Sequence, residues 1–446
     1  MPTKSYWAGK EWKTNDKVDY RSSRTSTRVV VIGSGMSGVS VAYHLAKESD
    51  DHEVIVLDSR KSVSDGATGR NGGVIHAYSW RMLPVMCKSR GIWNAIELIR
   101  LERAGREAIR TFASKFGVEC DLSLDIDAIE LHKDVQSAKH RVGSSILFSV
   151  LGSSMLSKLS GVNLLRNKQE IRKNINISET KNTWNAGIVS VASCDTFWAQ
   201  KFVHAVALQA SRCGAKFLFD THVVEIQENE KDLHVLTRSG QTIECDRVVV
   251  ATNAWTPSLL PEFKDRIVPV RNHVLATKPL SKRISVSKRP VVFSARGGFV
   301  YGFQREDGRI ILGGFRDCET DFGVNQDDDN SLNNNVLEEM KTFLLDTFDL
   351  FAEDEILEIE NVWTGIIGWS FDDTPFVGQV RKNIYVCVGF CGHGMCQTFL
   401  CGKAIADMIM DRVPDHYVAS FEPNLEKRCV CTADFYAGHT GDDNDG

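Results

Sequence analysis

Several features that mark other classes of protein are missing from this 446-residue sequence. No stretch reaches the roughly 18 apolar residues that a membrane-spanning helix needs, so we predict no membrane partner. The net charge is −5, which gives no basic excess for binding nucleic acid. Repeats and low-complexity tracts are also missing. The composition, 42% hydrophobic and 25% charged, is typical of a globular chain of about two domains.

Targeting signals and cysteine pairs are missing as well. No apolar segment of the secretory kind precedes Arg28, and the basic residues before it are interrupted by Glu11, Asp16 and Asp19. This mixture favours a solvated N-terminal arm over a transit peptide, and we expect a cytoplasmic protein. The 12 cysteines include no CxxC pair, so free thiols are favoured over disulfides and no metal site is predicted.

A strand, turn, helix and strand pattern near the N-terminus is the most informative feature present. The apolar run VVVI ends in GSGMSG (residues 33–38, the glycine turn), and a second apolar run ends at Asp58. Gly33 permits the tight turn, Gly35 lets the main chain approach a pyrophosphate, and Gly38 lets helix and strand pack closely. The helix N-terminus attracts phosphate, and the later carboxylate can accept from ribose hydroxyls. The pattern predicts a bound dinucleotide, NAD or FAD, against the alternative of an ordinary βαβ unit.

Elements of the nucleotide-binding region recur along the chain, with a mostly β region inserted between them. Helices are predicted over 91–116, 196–212 and up to about residue 410, and buried strands over 247–251 and 383–389. The polar, acidic segment 318–335 is predicted to be a solvated surface loop.

Further segments follow the glycine turn in order. They are Ser5-Tyr6-Trp7 upstream of it, GATGRNGG (residues 66–73, the glycine loop), Asp195 opening a helix, ATNAWTPSLLP from Ala251, and GFCGHGM, which contains the GHG turn (residues 392–395). Together they resemble the D-amino acid oxidase-like superfamily of FAD oxidoreductases, closest to its γ-glutamylputrescine oxidase-like branch. The resemblance covers residues 5 to about 412.

The resemblance implies an α/β fold of the glutathione-reductase type, in which a Rossmann-like FAD-binding domain carries an inserted antiparallel β-sheet substrate domain. The implied division of the chain is an N-terminal arm at 1–27, an FAD-binding domain at 28–90, 186–260 and 360–412, a substrate domain at 91–185 and 261–359, and a C-terminal tail at 413–446.

The resemblance also implies FAD rather than NAD, bound without a covalent link. The GHG turn would present N–H groups to the pyrimidine end of the flavin, where reduction leaves negative charge. The residues expected to contact FAD are Gly33, Gly35, Met36, Ser37, Gly38, Asp58, Ser59, Arg60, Ala67, Thr68, Gly69, Arg70, Asn71, Gly72, Gly73, Val223, Ala251, Thr252, Asn253, Gly392, His393, Gly394 and Met395.

The implied reaction is oxidation of a small-molecule amine. A hydride leaves the carbon that bears the nitrogen for flavin N5, the imine hydrolyses in water, and oxygen or another acceptor takes the electrons. No catalytic base is required. Candidate substrate-side residues are Tyr301, His393, Trp369 and His76, each of which is also compatible with a purely structural role.

Departures from the relatives bear on the substrate. Sarcosine oxidases anchor a carboxylate with cations where this chain has Ile75 and Cys396, and glycine oxidases use an Arg where Gly365-Ile366-Ile367 stands here. A carboxylate in a pocket without a cation is strongly disfavoured. We therefore expect an amine that lacks an α-carboxylate or carries its acid group far from the reacting carbon. Arg70, Arg271 and Arg316 are candidates to hold such a distal acid.

Two other departures concern the flavin. The cysteine that links flavin in sarcosine oxidases aligns with Gly365, and His76 is a weaker alternative for a covalent link. The lysine that activates oxygen in those enzymes aligns with Ile311, which suggests a poor oxygen reaction. Two other functions compete: a non-catalytic FAD-binding or redox-sensing protein, and an NAD-dependent dehydrogenase, which the GHG turn disfavours.

Overall fold

A computed structural model describes residues 3–8, 26–76, 87, 91–141, 162–181, 183–287, 289–350 and 356–428. Its α-helices are α1 Met36–Glu48, α2 Ala67–Arg70, α3 Ile92–Phe116, α4 Lys168–Arg172, α5 Ala199–Arg212, α6 Asn334–Thr347 and α7 Thr398–Ile409. Its strands are β1 Thr27–Ile32, β2 His52–Leu57, β3 Val74–His76, β4 Ser123–His132, β5 Val162–Leu165, β6 Ala186–Thr196, β7 Lys216–Leu218, β8 Val223–Glu228, β9 Leu233–Thr237, β10 Thr242–Cys245, β11 Arg247–Val250, β12 Ile267–Thr277, β13 Val291–Ala295, β14 Val300–Gln304, β15 Ile310–Gly314, β16 Ile359–Ser370, β17 Phe376–Arg381 and β18 Ile384–Val388.

The first sheet has six strands in the order β17-β18-β11-β1-β2-β7, and all neighbours are parallel except β17 with β18. Its central strand β1 is apolar on both faces because both faces are covered. Val29 and Val31 share a core cluster with residues of α1, α5 and α7. Val30 and Ile32 face the other way, toward the three-stranded antiparallel sheet β10-β9-β8. The short turn between β1 and α1 places the end of the strand and the start of the helix together at the carboxyl edge of this sheet.

The second large sheet has the order β16-β12-β15-β14-β13-β4-β6-β3, and β5 also pairs with β6. Its neighbours are antiparallel apart from β13 and β4. A parallel, helix-covered sheet joined to a mostly antiparallel one confirms the predicted fold class. Among the described helices, none combines the length and the apolar character needed to cross a membrane.

The domain limits stay a prediction, and strand membership argues for adjusting them. Strands β3, β6 and β16 fall in segments predicted for the FAD-binding domain, yet all three belong to the second large sheet. Asp195, expected to open a helix, is the second-last residue of β6, and α5 begins only at Ala199.

The prediction of a solvated N-terminal arm is wrong for residues 3–8. Trp7 is fully buried, its indole Nε1–H donates to the Asn71 carbonyl at 2.6 Å, and its own carbonyl accepts from Trp198 Nε1 at 2.6 Å. Residues 3–8 therefore pack against the glycine loop and hold it through the buried Trp7 indole.

Candidate active site

One cavity of about 570 Å³ connects the glycine turn, the glycine loop and the GHG turn. It extends from the glycine turn and Asp58, past the glycine loop and residues 251–253, to Tyr301 and the GHG turn. A volume of this size is within the range of small-molecule and cofactor sites. The cavity thus lies where β1 ends and α1 begins, at the carboxyl edge of the parallel strands.

The glycine turn has the geometry that its spacing predicts. Gly33 has φ of +108°, and a Cβ there would lie 2.7 Å from the Ala251 carbonyl oxygen. A Cβ on Gly38 would lie 2.0 Å from the Gly33 carbonyl oxygen, so only glycine lets the first turn of α1 pack against β1. Main chain rather than side chains therefore borders the cavity at this point, as a bound pyrophosphate requires.

The Asp58 carboxylate is held by two main-chain N–H groups and one hydroxyl. Its Oδ2 accepts from the Ser34 N–H at 2.7 Å and from the Ser34 hydroxyl at 2.5 Å, while Oδ1 accepts from the Arg60 N–H at 2.8 Å. A carboxylate oxygen can accept more than one hydrogen bond, so the group keeps capacity for ribose hydroxyls.

The glycine loop is held by hydrogen bonds within it, by the Trp363 side chain and by the first turn of α1. Asn71 donates to the Thr68 carbonyl at 2.6 Å and accepts from the Gly73 N–H at 2.7 Å. The Trp363 indole donates to the Arg70 carbonyl at 2.8 Å. Thr68 in turn accepts from the Met36 N–H at 3.1 Å, which ties the loop to the N-terminus of α1.

The segment that leads into the GHG turn is held by Asn253, whose backbone is left-handed with φ of +50°. The Asn253 side-chain oxygen accepts from the Gly389 N–H at 2.9 Å. His393 Nδ1 lies 2.8 Å from the Cys391 carbonyl, which can only accept, so Nδ1 carries the proton. Burial raises the pKa of the Cys391 thiol to about 12, so no thiolate forms beside the turn at neutral pH.

Most of the residues expected to contact FAD border this cavity. Those that do are Gly33, Gly35, Ser37, Asp58, Ser59, Arg60, Ala67, Thr68, Arg70, Asn71, Val223, Ala251, Thr252, Asn253, Gly392, Gly394 and Met395. Those that do not border it are Met36, Gly38, Gly69, Gly72, Gly73 and His393.

Only one of the four candidate substrate-side residues borders the cavity. Tyr301 borders the cavity, and its ring is clamped between two glycines, since a Cβ on Gly72 would lie 2.3 Å from Cε2 and one on Gly313 would lie 2.6 Å from Cζ. His76 on β3, Trp369 on β16 and His393 are not among the residues that border it. Their roles stay predictions.

The model of the FAD dependent oxidoreductase family, DAO, matches residues 28–408. The chain belongs to this family. The predicted FAD-dependent oxidoreductase and its cofactor are thereby confirmed. The cavity agrees with FAD, because side-chain-free main chain, a helix N-terminus and an ordered carboxylate meet at one end of it.

Relatives and solved structures extend the match over most of the chain. Gamma-glutamylputrescine oxidoreductase of Escherichia coli is 27% identical over 91% of this chain and 89% of its own length. A probable oxidoreductase, OrdL, of Rhizobium meliloti is 23% identical over 86% and 83%. Glycine oxidase from Geobacillus kaustophilus has the same fold, with a TM-score of 0.70, 17% identity, and coverage of 89% of this chain and 98% of its own. L-amino acid deaminase from Proteus myxofaciens gives a TM-score of 0.71 at 14% identity, with 96% and 98% covered.

Sequence reasoning missed one wall of this FAD-dependent oxidoreductase's cavity. Residues 327–330 border it, although 318–335 was predicted to be a solvated loop. Asp329 is only 4% exposed and pairs with Arg60 at 2.7 Å and with Arg70 at 3.4 Å. Arg60 also stacks over the Trp255 ring at 5.3 Å. The prediction of a solvated loop holds for the exposed Asp327 and Asp328 and is wrong for the buried Glu319, Val324 and Asp329.

The positions where the resemblance to sarcosine and glycine oxidases implies cations are apolar in this oxidoreductase. Ile75 and Ile311 are buried in core clusters, and Cys396 is 2% exposed. Burial raises the pKa of the Cys396 thiol well above its usual value, so this residue supplies no charge either. Gly365, Ile366 and Ile367 border the cavity with no charged side chain.

Proposed function

We propose that this FAD-dependent oxidoreductase oxidises the C–N bond of an amine or amino-acid-like substrate. FAD held by the glycine turn, Asp58 and the glycine loop would accept at flavin N5 a hydride from the substrate carbon that bears the nitrogen, and the imine product would hydrolyse in water. The chain's own task is to orient that C–H bond and to exclude solvent from it.

The observation that carries the proposal is the character of the cavity next to the GHG turn. Ile366, Ile367, Phe390 and Met395 border it there beside Tyr301. Apolar surroundings disfavour the charged form of an amine, and the neutral form has the lone pair that drives hydride loss. The names of gamma-glutamylputrescine oxidoreductase, glycine oxidase and L-amino acid deaminase agree with an amine or amino acid as substrate.

The apolar side chains at Ile75, Ile367 and Cys396 further support a substrate without an α-carboxylate beside the reacting carbon. Burying a carboxylate without a cationic partner costs several kcal/mol even after the protein relaxes around it. An amine without an acid, or with the acid at some distance, avoids this cost.

An anaerobic screen against the flavin spectrum tests the proposal. Polyamines, γ-glutamyl amines, N-methyl amines and simple amino acids are added in turn to the oxidised holoenzyme, and loss of flavin absorbance is followed. We expect bleaching by one of the first three classes. A strong preference for glycine or sarcosine would contradict the inference that the substrate lacks an α-carboxylate beside the reacting carbon. If no amine bleaches the flavin, a non-catalytic or redox-sensing FAD protein is favoured.

A further inference from the structure

Three arginines are candidates to receive a distal acid group, and two of them are already committed within the protein. Arg70 Nη1 donates to the Thr3 hydroxyl at 3.1 Å and to the carbonyls of Asp329 and Thr364, both at 3.0 Å. Arg271 lies 3.3 Å from the buried Glu319 carboxylate. Both side chains therefore have internal partners for their charge.

Arg316 differs from both. It follows β15 directly after Phe315, whose backbone is left-handed with φ of +60°. Within the part of the chain that the structure describes, its guanidinium makes neither a hydrogen bond nor an ion pair. Instead, the guanidinium carbon lies 4.5 Å from the centre of the Trp369 ring and 5.4 Å from that of Phe299.

Stacking between aromatic rings holds a guanidinium by its faces and leaves its N–H edge available. A half-buried cation of this kind has lost part of its hydration without forming a direct ion pair to any described residue, so an anion that reaches its N–H edge would be stabilised. Burial lowers the pKa of Arg316, while the nearby Asp373 and Tyr301 act in the opposite direction. An arginine nevertheless keeps its charge in proteins.

A second donor beside Arg316 also has no acceptor. The indole Nε1–H of Trp369 is enclosed and has no hydrogen-bond partner among the described residues. Two neighbouring donor groups thus have no acceptor where one would be expected, since buried N–H groups are nearly always paired.

The position of this pair relates it to the cavity. Arg316 does not itself border the cavity, but Tyr301 does, and Tyr301 pairs across the sheet with Gly313, three residues before Arg316. Cys391 directly precedes the GHG turn, and Trp369 lies two residues beyond Ile367 on β16. Since the Cys391 N–H donates to the Gly368 carbonyl at 3.0 Å, Trp369 and the guanidinium stacked on it lie near the GHG-turn end of the cavity rather than near the glycine turn.

We propose that Arg316, stacked on Trp369, is the binding residue for a carboxylate that the amine substrate carries away from its reacting carbon. This inference rests on the proposed amine oxidation. It narrows the substrate class to amino acids or amides whose acid group is separated from the oxidised C–N bond. The open N–H edge of a guanidinium can donate two parallel hydrogen bonds to one carboxylate. Such charged hydrogen bonds are stronger than those between neutral groups.

The test compares acids with their methyl esters. The holoenzyme is mixed anaerobically with ω-amino acids of increasing chain length and with the matching ω-amino methyl esters, and the apparent Kd is taken from the flavin bleaching rates. We expect Arg316→Gln to raise the Kd for the preferred acid about 10- to 100-fold and to leave that for its ester unchanged. Equal losses for acid and ester, or no loss, would overturn the proposal.

Matched variants separate charge from packing. Arg296 stacks on Phe315 at 5.2 Å but already pairs with Asp317 and Glu339, so Arg296→Gln should not distinguish acid from ester. Arg316→Lys keeps the charge and should retain part of the preference for the acid. If Arg316→Gln does not fold, a lysine variant with undiminished acid affinity supports the charge, and one that binds acid and ester alike overturns it.

Failure of the proposed function gives a different result. If no amine bleaches the wild-type flavin, simple ω-aryl carboxylates are titrated into the oxidised holoenzyme and the shift of the flavin spectrum is recorded. A saturable shift that is lost in Arg316→Gln would support the anion site without amine oxidation. No shift in the wild type would contradict the site as well.

Discussion

The Ser34 hydroxyl donates to Asp58 Oδ2 across 2.5 Å, and the Ser34 main-chain N–H donates to the same oxygen. Ser34 of the glycine turn and Asp58, which directly follows β2, are therefore hydrogen-bonded to each other independently of any ribose. The carboxylate both closes the turn and faces the cavity.

We expect Asp58→Ala to weaken FAD binding about 10- to 100-fold, since it removes a charged acceptor from two main-chain donors as well as from the cofactor. Ser34→Ala is the matched control, because it removes only the hydroxyl and should cost less than about tenfold. FAD affinity is measured by fluorescence quenching during reconstitution of the apoprotein. Equal affinities in the two variants would show that the carboxylate does not contact the cofactor.

Gly38 makes a steric prediction that does not depend on FAD. A Cβ there would lie 2.0 Å from the Gly33 carbonyl oxygen, so Gly38→Ala must displace the turn or α1. We expect about 1 to 3 kcal/mol of lost stability in urea unfolding of the cofactor-free protein. Gly66→Ala is the control, because nothing lies within 4 Å of its added methyl. The prediction fails if both variants unfold at the same urea concentration.

The parts of the site that could be predicted from sequence are those coded locally. The run VVVI before the glycine turn predicts a strand buried on both faces, and alternate residues of β1 do face the helices and the three-stranded sheet. Fixed spacing from Gly33 to Asp58 then places the turn and the acid on neighbouring strands. For these features, contacts close in sequence determine the structure.

The parts that could not be predicted depend on partners far away in the chain. The Thr3 hydroxyl donates to the Asp329 carbonyl across 326 positions of sequence. Neither residue stands in an apolar pattern, so hydropathy places both in solvent. Arg316 is a similar case, because its position against the Phe299 and Trp369 rings is set by packing between distant segments and leaves no trace in the order of residues.

His273 predicts a loss of stability in mild acid. It is 1% exposed, and its Nε2 accepts from the Asn333 N–H at 3.0 Å, which requires the neutral ring. Burial lowers its pKa to about 4, against a partly opposing effect of Glu319. Between about pH 6.5 and pH 4 the unfolded chain therefore binds a proton that the folded protein does not, so stability falls as the pH falls.

The expected slope from His273 approaches about 1.4 kcal/mol per pH unit in that window. His273→Gln keeps an acceptor near Asn333 and removes the titration, so its free energy of unfolding should depend less steeply on pH. Urea unfolding at intervals from pH 7 to pH 4.5 measures the difference. Parallel curves for the variant and the wild type would show that His273 is protonated equally in both states.

FAD is expected to be released intact by acid. Gly365 stands where the resemblance to sarcosine oxidases places their flavin-linking cysteine. His76, the other candidate for a covalent link, is not among the residues that border the cavity. Precipitation of the holoenzyme with trichloroacetic acid should leave a yellow supernatant and a colourless pellet. A yellow pellet would require a covalent link, and loss of that colour in His76→Ala would locate it.

Reoxidation by oxygen is expected to be slow, because Ile311 stands where sarcosine oxidases have an oxygen-activating lysine. Ile311 is 1% exposed and packs in a cluster with Trp7 and Trp363 rather than beside a charge. Without a cation at this position, the negative charge that develops on oxygen loses one source of stabilisation. Stopped-flow mixing of the reduced holoenzyme with air-saturated buffer measures the rate, and an artificial quinone acceptor serves as the control. Slow reaction with oxygen and fast reaction with the quinone would indicate a dehydrogenase, whereas a fast second-order reaction with oxygen would contradict the prediction.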